Sequence, residues 1–483
     1  MSNKIIIDPV TRVEGHGKVT IQLDDNNKVL DAKFHIVEFR GFERFIQGHP
    51  YWEAPVLVQR LCGICPVSHH LAAAKAIDQI VGVDPHELSI PAQKIRKLLH
   101  FGQVFQSHAL HFFYLASPDL LLGADADPHT RNVVGVAMDF PELAKKGILM
   151  RKFGQEIIKM TAGKRIHGIA TTPGGVHKNI TAKERNYFLN GKEIPNIQTM
   201  IQWMLEVLDF IKQYHQKNQH FLDNFAAYPS GHLGLVNKNG FLELYDGNLR
   251  AIDADGNITL NDVPSNDYNQ YFYEEAEPWT YLKFPYLKHL GKEKGWNRVG
   301  PLARLNVCEG IETPLAEAER KIFKAITNDK PNNMTMHTHW ARLIEMLYTA
   351  EMIKNLLQDD DLLSNDLIRK GKRRKEGIGI IEAPRGTLIH HYEVDDKDRI
   401  TRCNLIVSTT HNNEPMNRAV RWVAQNVLNN QNKITETMLN QVEVAIRAYD
   451  PCLSCATHAM GQMPLQLQIF NTEGQIVQEL FKH

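Results

Sequence analysis

Asp450-Pro451-Cys452-Leu453-Ser454-Cys455-Ala456-Thr457-His458 lies near the end of this chain, and Leu61-Cys62-Gly63-Ile64-Cys65-Pro66 lies near its beginning. Each stretch holds a Cys-x-x-Cys pair, and the two pairs use four of the six cysteines in the chain. Thiolate sulfur is a soft ligand that selects zinc, nickel, copper(I) or the iron of iron–sulfur clusters over magnesium or calcium. We therefore predict a four-sulfur metal or redox site at which the two ends of the chain meet.

A structural zinc site is the simplest alternative, because four thiolates suit closed, tetrahedral zinc. Two features oppose it. The pairs of a zinc ribbon lie roughly 15–20 residues apart, whereas Cys65 and Cys452 are separated by 387 residues. A chain of this size also has enough apolar residues to fold without a metal. A thioredoxin-like redox pair is disfavoured, because neither pair lies in a βαβ pattern.

Composition and charge exclude several classes of protein. The chain has 483 residues, 43% of them hydrophobic, and its 55 basic residues equal its 55 acidic residues. No net charge attracts it to nucleic acid or to acidic lipid. We find no cleavable signal pattern and no apolar run long enough to span a membrane. We expect a cytoplasmic protein with reduced thiols that binds no nucleic acid and does not insert into a membrane.

Hydrophobic periodicity predicts a mainly α fold with small β elements, an α+β class. Alternating residues predict an antiparallel N-terminal sheet within residues 4–40, and turn signals predict a small β hairpin insertion near 240–266. Further strands are predicted at 377–400 and 404–407. The helical pattern dominates elsewhere and is clearest in 51–150, 196–225, 333–358 and 436–448.

The helical stretches predict one large helical core. Pro66 is expected to break the helix that begins near Pro55, which places Cys62 and Cys65 at the break. Thr435 is expected to cap the last helix. We expect residues 1–458 to form a single domain and residues 459–483 to be a C-terminal extension.

Taken together, the motifs of this chain resemble the large subunit of the nickel–iron hydrogenases. Besides the two cysteine motifs, which begin at Arg60 and Asp450, four segments match: Arg12-Val13-Glu14-Gly15-His16, Phe39-Arg40-Gly41-Phe42-Glu43, Thr172-Pro173-Gly174-Gly175 and Ala383-Pro384-Arg385-Gly386. The resemblance covers essentially the whole chain. It is greatest to the cytoplasmic bidirectional, NAD-linked group, and it implies reversible heterolytic cleavage of H2.

The resemblance also implies a set of metal ligands. Cys62 and Cys452 would be terminal ligands of nickel, and Cys65 and Cys455 would bridge nickel to iron. The iron would carry carbon monoxide and cyanide. Glu43 and His458 would help to bind a magnesium ion, with water in the remaining positions. A carboxylate and water suit magnesium, whereas a histidine ligand is less usual for it.

Heterolytic cleavage requires a base near the metals, and the candidates are the sulfur of Cys455 and the guanidinium of Arg385. Arginine is normally locked in its protonated form. We therefore expect the Cys455 sulfur to accept the proton and to pass it to Glu14, because a carboxylate in a dry pocket has a raised pKa. Arg385 is expected to act as an electrostatic or positioning group. It would be held by Asp119 or Asp450, of which we favour Asp450 because it adjoins a ligand cysteine.

Electron transfer is expected to require other subunits. Only Cys308 and Cys403 remain outside the two pairs, and the chain has no Gly-x-Gly-x-x-Gly dinucleotide motif. The resemblance implies a small subunit with iron–sulfur clusters and diaphorase subunits that carry FMN and reduce NAD. It also implies nickel-insertion proteins and a maturation protease, which would remove residues 459–483 after His458.

Other functions remain open from the sequence. The electron acceptor could instead be NADP, a deazaflavin or a quinone. A related respiratory-complex subunit that has lost its metals is disfavoured by the four retained cysteines. A zinc-stabilised interaction or nucleic-acid-binding module is supported only by the basic run at 369–375. Metal analysis separates these hypotheses, because nickel with iron supports a hydrogenase and zinc alone supports the module.

Overall fold

The computed structural model describes residues 4–457, 465–470 and 476–482, the last two ranges by their backbone alone. The strands are β1 Lys4–Ile7, β2 Gly17–Leu23, β3 Val29–Ile36, β4 Thr171–Thr172, β5 Gly175–Val176, β6 Gly231–Val236, β7 Asn248–Ile252, β8 Ile258–Val263, β9 Phe272–Glu275, β10 Phe284–Leu287, β11 Asn297–Arg298, β12 Glu376–Ala383, β13 Gly386–Val394, β14 Ile400–Ile406, β15 Leu465–Phe470 and β16 Ile476–Lys482.

Helices contribute more residues than strands, so the predicted α+β class is confirmed. The α-helices are α1 Phe42–Phe45, α2 Ala54–Leu57, α3 Pro66–Ile80, α4 Ile90–Leu110, α5 Val133–Asp139, α6 Pro141–Ala162, α7 Ala182–Asn190, α8 Ile197–Lys217, α9 Gln219–Asn224, α10 Tyr268–Tyr271, α11 Gly291–Lys294, α12 Pro301–Val307, α13 Pro314–Ala325, α14 Thr338–Leu357, α15 Ser408–His411, α16 Asn413–Val423, α17 Glu436–Ala448 and α18 Leu453–Ala456. Within the described residues, no helix combines the length and the apolar character needed to cross a bilayer.

The N-terminal sheet has the order β1-β2-β3 and is antiparallel throughout, as predicted. Alternate residues of β2 and β3 are buried, among them Val19, Ile21 and Phe34. The residues alternate because one face of the sheet packs on the core and the other faces outward. This alternation allowed the sheet to be predicted from the sequence.

Helix α4 lies at the centre of the helical core and packs against α6 and α14. Its residues Ile95, Leu98, Leu99 and Phe105 are buried. Helix α3 is buried on all sides and lies against β12 and β13. The helix that follows the first cysteine motif is therefore held between the helical core and a sheet.

Strands β12, β13 and β14 form an antiparallel sheet in sequence order. Ala383 pairs with Gly386, so Pro384 and Arg385 form a two-residue turn between β12 and β13. Gly386 has a φ of +130°, and a Cβ there would lie 2.3 Å from Val299. Only glycine fits this turn, and the turn places Arg385 at the end of the sheet that faces the cysteines.

The β insertion differs from the predicted hairpin. It is a four-stranded sheet with the order β11-β6-β7-β8 that begins at Gly231. The turn at Asp255-Gly256 joins β7 to β8 as expected, whereas Asp246-Gly247 only precedes β7. Strand β6 was missed because five of its six residues are buried, so it lacks the alternation of a one-faced strand.

Candidate functional site

Cys62 and Cys65 lie where two helical segments meet. A 3-10 helix ends at Leu61, Cys62 has an extended backbone with a φ of −157°, and Pro66 is the first residue of α3. The backbone N–H of Ile64 donates to the Cys62 sulfur at 3.0 Å. A break at Cys62 and Cys65 is present as predicted and brings both sulfurs to the same side, although Pro66 begins the second helix and does not interrupt the first.

Cys452 and Cys455 follow the end of α17 and flank the start of the short helix α18. Cys452 pairs with Glu14 in an isolated parallel bridge, and the N–H of Leu453 donates to the Glu14 carbonyl at 3.0 Å. The N–H of Cys452 donates to Thr409 Oγ1, also at 3.0 Å. Backbone hydrogen bonds therefore hold the second motif against the N-terminal segment of the chain.

The four sulfurs converge, with all of them within 4.8 Å of one another. Cys455 Sγ lies 2.8 Å from Cys452 Sγ and 3.3 Å from Cys65 Sγ. Cys62 Sγ lies 3.3 Å from Cys452 Sγ and 3.6 Å from Cys65 Sγ. All four cysteines are buried and none forms a disulfide. The spatial prediction made from the two motifs is confirmed.

This donor set fits soft metals. Four thiolates at these separations can share one ion, and two of them can also bridge to a second ion on the same side. The pKa of Cys65 lies well below its usual value because the other three cysteines hydrogen-bond to its sulfur. Burial holds the pKa of Cys452 and of Cys455 well above the usual value. The sulfurs alone would also suit zinc, so the groups around them must distinguish the metals.

Glu14 is in direct contact with the sulfur cluster. Its Oε2 accepts a hydrogen bond from Cys452 Sγ at 3.1 Å and another from the N–H of Ser454 at 3.1 Å. The route predicted from Cys455 to Glu14 would thus pass through Cys452, whose sulfur lies between the two groups. Glu14 is placed to exchange a proton with a thiolate, a function that a closed structural zinc site would not need.

Arg385 lies beside the sulfurs and is held by Asp450, as we favoured. Its Nε donates to the Asp450 carbonyl at 2.5 Å and its Nη2 donates to Asp450 Oδ1 at 3.0 Å. Although burial opposes its charge, Asp450 and the nearby cysteines hold the pKa of Arg385 well above its usual value. Asp119 instead pairs with Arg12 and Arg447, at 2.6 and 2.7 Å. Arg385 is thus a fixed cation.

Glu43 is a buried carboxylate near the end of the second motif. Burial raises its pKa to about 7, and Oε1 accepts a hydrogen bond from the N–H of Leu405 at 2.9 Å. Its Oε2 lies 3.9 Å from the ammonium of Lys283. The Thr457 carbonyl accepts from the N–H of Arg40, which brings the chain close to the segment that carries Glu43. His458, the second predicted magnesium ligand, lies outside the described residues.

A small cavity adjoins the sulfurs. Cys65, Cys452, Ala383 and Arg385 line it, together with groups that the sequence analysis did not single out: Leu388, Val407, Ser408 and Thr409. The volume, about 10 Å³, is close to the room that one water molecule needs. Apolar and hydroxyl groups of this kind carry no sequence signal, because only their approach to the cysteines gives them a role.

Comparison with known families gives two matches. A model of the nickel-dependent hydrogenases matches residues 40–133 and 245–458, and a model described as HoxL-like matches residues 4–39. The first covers more than half of the chain and includes both cysteine motifs.

Individual relatives cover nearly the full length. The NAD-reducing hydrogenase HoxS subunit beta of Cupriavidus necator is 49% identical over 99% of both chains. A subunit of the F420-non-reducing hydrogenase vhc of Methanococcus voltae is 41% identical over 98% of both. The crystal structure of an NAD+-reducing [NiFe]-hydrogenase in the H2-reduced state has a TM-score of 0.91 and 54% identity, and the match covers 94% of this chain and 99% of that one.

Proposed function

This chain belongs to the nickel-dependent hydrogenase family, and from that premise we propose that it is the catalytic subunit of a hydrogenase that couples reversible cleavage of H2 to NAD+ reduction. The observation that carries the proposal is the convergence of four buried sulfurs with the carboxylate of Glu14 and the guanidinium of Arg385. A closed zinc site would use the sulfurs but neither of the other two groups.

The sulfurs would hold a nickel–iron pair. Cys62, Cys65, Cys452 and Cys455 would hold nickel, and Cys65 and Cys455 would also be ligands of iron. When bound, the pair would supply the redox and Lewis-acid chemistry that separates H2 into two protons and two electrons. Carbon monoxide and cyanide would complete the ligands of iron, and the small cavity beside Cys65 offers such groups apolar walls together with the hydrogen-bond donors Arg385, Ser408 and Thr409.

The proton leaves through a sulfur and a carboxylate. Cys452 Sγ and Cys455 Sγ are in contact, so either thiolate can accept the proton and Cys452 can deliver it to Glu14 Oε2. General acid–base transfer requires this hydrogen-bond geometry before any matching of pKa. Ser454 contacts two carboxylates, because its N–H donates to Glu14 and its Oγ donates to Glu38 at 2.9 Å.

Arg385 positions the site and does not act as its base. Its Nε and Nη2 are both engaged with Asp450, and Nη1 lies 3.5 Å from Ser107 Oγ. A buried cation fixed in this way stabilises negative charge on the thiolates and on groups that enter the cavity.

A magnesium ion at Glu43 would also bind the end of the processed chain, through His458. Burial raises the pKa of Glu43 to about 7, and a bound divalent cation would stabilise the charged form of this carboxylate. We propose that Glu43 and His458 bind magnesium together with water. Such a site needs the chain end folded inward, which explains why removal of residues 459–483 after His458 would accompany maturation.

Electrons would leave through partner subunits. The six cysteines of the chain leave no set for an iron–sulfur cluster beyond the four sulfurs described. A small subunit with iron–sulfur clusters and diaphorase subunits with FMN would carry them to NAD+ in the cytoplasm. The name of the Cupriavidus relative favours NAD over the alternative acceptors NADP, deazaflavin and quinone.

The decisive experiment combines metal analysis with an acceptor assay on the purified complex. Nickel is expected together with an excess of iron, because the partner subunits would add iron–sulfur clusters, and NAD+ reduction is expected under H2 but not under argon. Zinc alone would overturn the proposed function. A different outcome would overturn only the proposed acceptor. In that outcome nickel and iron are present, and H2 reduces NADP, a deazaflavin or a quinone but not NAD+.

The proposed processing has its own test. The intact mass of the subunit from the active complex should correspond to a chain that ends at His458. A subunit that turns over H2 while it retains residues 459–483 would contradict the proposal. The matched comparison is the subunit isolated from cells grown without nickel, which should keep the extension.

A further inference from the structure

Arg304 is a fully buried cation, and each of its five N–H groups has a hydrogen-bond partner. Nε and Nη2 donate to the two oxygens of Glu345, both at 2.6 Å, and Nη1 donates to Glu382 Oε2 at 2.7 Å. The other two N–H groups donate to the Ala383 carbonyl at 3.0 Å and to the Pro384 carbonyl at 3.3 Å. Although burial opposes its charge, the two carboxylates raise the pKa of Arg304 above its usual value. The guanidinium is thus a charged group with a complete set of partners.

The two carbonyls belong to the turn that carries Arg385. Pro384 and Arg385 connect β12 to β13, and Ala383 is the last residue of β12. Arg304 lies on α12, and a Cβ at Gly300, just before this helix, would lie 2.9 Å from the Arg385 carbonyl oxygen. The beginning of α12 therefore contacts the turn both through its backbone and through the Arg304 guanidinium.

The carboxylates that bind Arg304 are fixed by other elements of the core. Glu345 lies on α14, and although burial opposes its charge, Arg304 lowers its pKa to about 2. The second carboxylate, Glu382, lies on β12. Its Oε1 accepts hydrogen bonds from Thr387 Oγ1 at 2.7 Å and from the N–H of Leu235 at 3.1 Å. The guanidinium therefore connects α12, α14 and β12 at one point, directly behind the turn.

We propose that Arg304 is a positioning residue of the active site, which fixes the turn so that the Arg385 guanidinium stays beside the cysteine sulfurs. This inference rests on the proposed function, in which Arg385 stabilises negative charge at those sulfurs. Asp450 binds the guanidinium end of Arg385, and Arg304 binds the backbone from which that side chain extends. A displacement of about 1 Å in an active site can reduce the rate about 100-fold, so both ends of Arg385 need support.

The test is a double-mutant cycle in the purified complex, with Arg304→Lys and Arg385→Lys made singly and together. A lysine keeps the buried charge but lacks the five-donor planar fork, so it cannot bind both carboxylates and both carbonyls. Arg304→Lys alone should reduce H2-dependent NAD+ reduction by about tenfold. In a subunit that already carries Arg385→Lys, it should reduce the activity by less than about twofold, because its effect passes through Arg385. Equal fold losses in the two backgrounds would overturn the proposal.

Arg96→Lys is the matched control. Arg96 is also fully buried, pairs with Asp78, and donates to the carbonyls of Thr172 and Gly175 at 3.3 and 2.6 Å. It therefore supports a different turn in the same manner. Any activity lost through Arg96→Lys should be the same fold with and without Arg385→Lys, because the two side chains share no partner.

Glu382→Gln repeats the cycle if Arg304→Lys does not yield a folded subunit. Leu235 and Thr387 hold one oxygen of this carboxylate, so the amide nitrogen of the glutamine would face Arg304 Nη1, donor against donor. The loss should be about fivefold alone and less than about twofold together with Arg385→Lys. A loss of the same size in both backgrounds would contradict the role of Arg304.

Metal analysis of each variant separates the two possible failures. If nickel and iron are retained and the losses are equal in both backgrounds, only the positioning role of Arg304 is wrong. If the wild-type complex holds zinc alone, the proposed function itself is wrong.

Discussion

At the scale of single residues, two polar side chains beside the sulfur cluster, Glu14 and Arg385, differ in what they contact. Glu14 contacts a sulfur and can carry a proton, whereas Arg385 contacts Asp450 and stays a cation. From the sequence we expected Glu14 to relay a proton and Arg385 to be an electrostatic or positioning group. The contact that each one makes supports these proposed roles.

Replacement of Glu14 by Gln should reduce H2-dependent NAD+ reduction by about 100- to 10,000-fold, because the amide keeps the hydrogen-bond geometry but cannot accept the proton. Nickel and iron contents should not change. Glu38→Gln is the matched control and should lose less than about tenfold, since Glu38 contacts Ser454 and no sulfur. Activity of Glu14→Gln within about twofold of wild type would contradict the proton route.

Replacement of Arg385 by Lys should reduce activity by about 10- to 100-fold while the metals are retained. A lysine keeps the charge but lacks the planar fork with which Arg385 binds both the carbonyl and the carboxylate of Asp450. Arg402→Lys is the control, because Arg402 pairs with Glu393 at the surface. Steady-state assay with metal analysis measures both, and full activity of Arg385→Lys would exclude a positioning role.

At the scale of elements, the first cysteine motif depends on how α3 packs against β12. A Cβ at Gly379 would lie 2.0 Å from the Ala72 carbonyl, and one at Gly377 would lie 2.0 Å from the Ala76 carbonyl. Strand and helix backbones are therefore in contact at two successive turns of α3. This contact sets the position of Cys65 at the start of the helix.

Gly379→Ala should destabilise the protein by about 3 kcal/mol, because the added methyl overlaps a backbone atom that cannot move alone. Nickel content should fall with it, since the displaced helix carries Cys65. Gly163→Ala is the control. Nothing lies within 4 Å of a Cβ there, so only the strain of a left-handed backbone with a φ of +79° is expected, at about 1 kcal/mol. Equal thermal midpoints for the two variants would show that the contact is looser than described.

At the scale of the whole molecule, burial keeps several histidines neutral. Burial lowers the pKa of His100, His232 and His411 to about 3. These side chains take up protons in the unfolded chain near pH 6.5 but not in the folded protein. Their contribution to stability is therefore complete above pH 6.5 and is lost as the pH falls towards 3.

The thermal midpoint should consequently fall steeply as the pH is lowered from 7.0 to 5.0. Each of these histidines adds up to about 1.4 kcal/mol per pH unit to the slope. His232→Gln should make the decline shallower, whereas His86→Gln, at an exposed position, should leave it unchanged. Unfolding midpoints that do not vary over this pH range would contradict the neutral state of the buried histidines.

The sequence by itself determined the ligands, the fold class and several elements. Cysteine spacing specified the four sulfurs, alternation specified the N-terminal sheet, and Thr435 marked the start of α17, where its side chain accepts from the N–H of Met438. Each of these signals can be read from a few neighbouring residues, because ligand chemistry, strand alternation and helix capping are local properties.

Only the tertiary structure decided what each polar group contacts. It placed Glu14 against Cys452 and paired Arg385 with Asp450 and Asp119 with Arg12. These partners are distant in sequence, in the case of Glu14 and Cys452 by 438 residues. Such contacts follow from the packing of the whole core, and no short stretch of sequence contains that information.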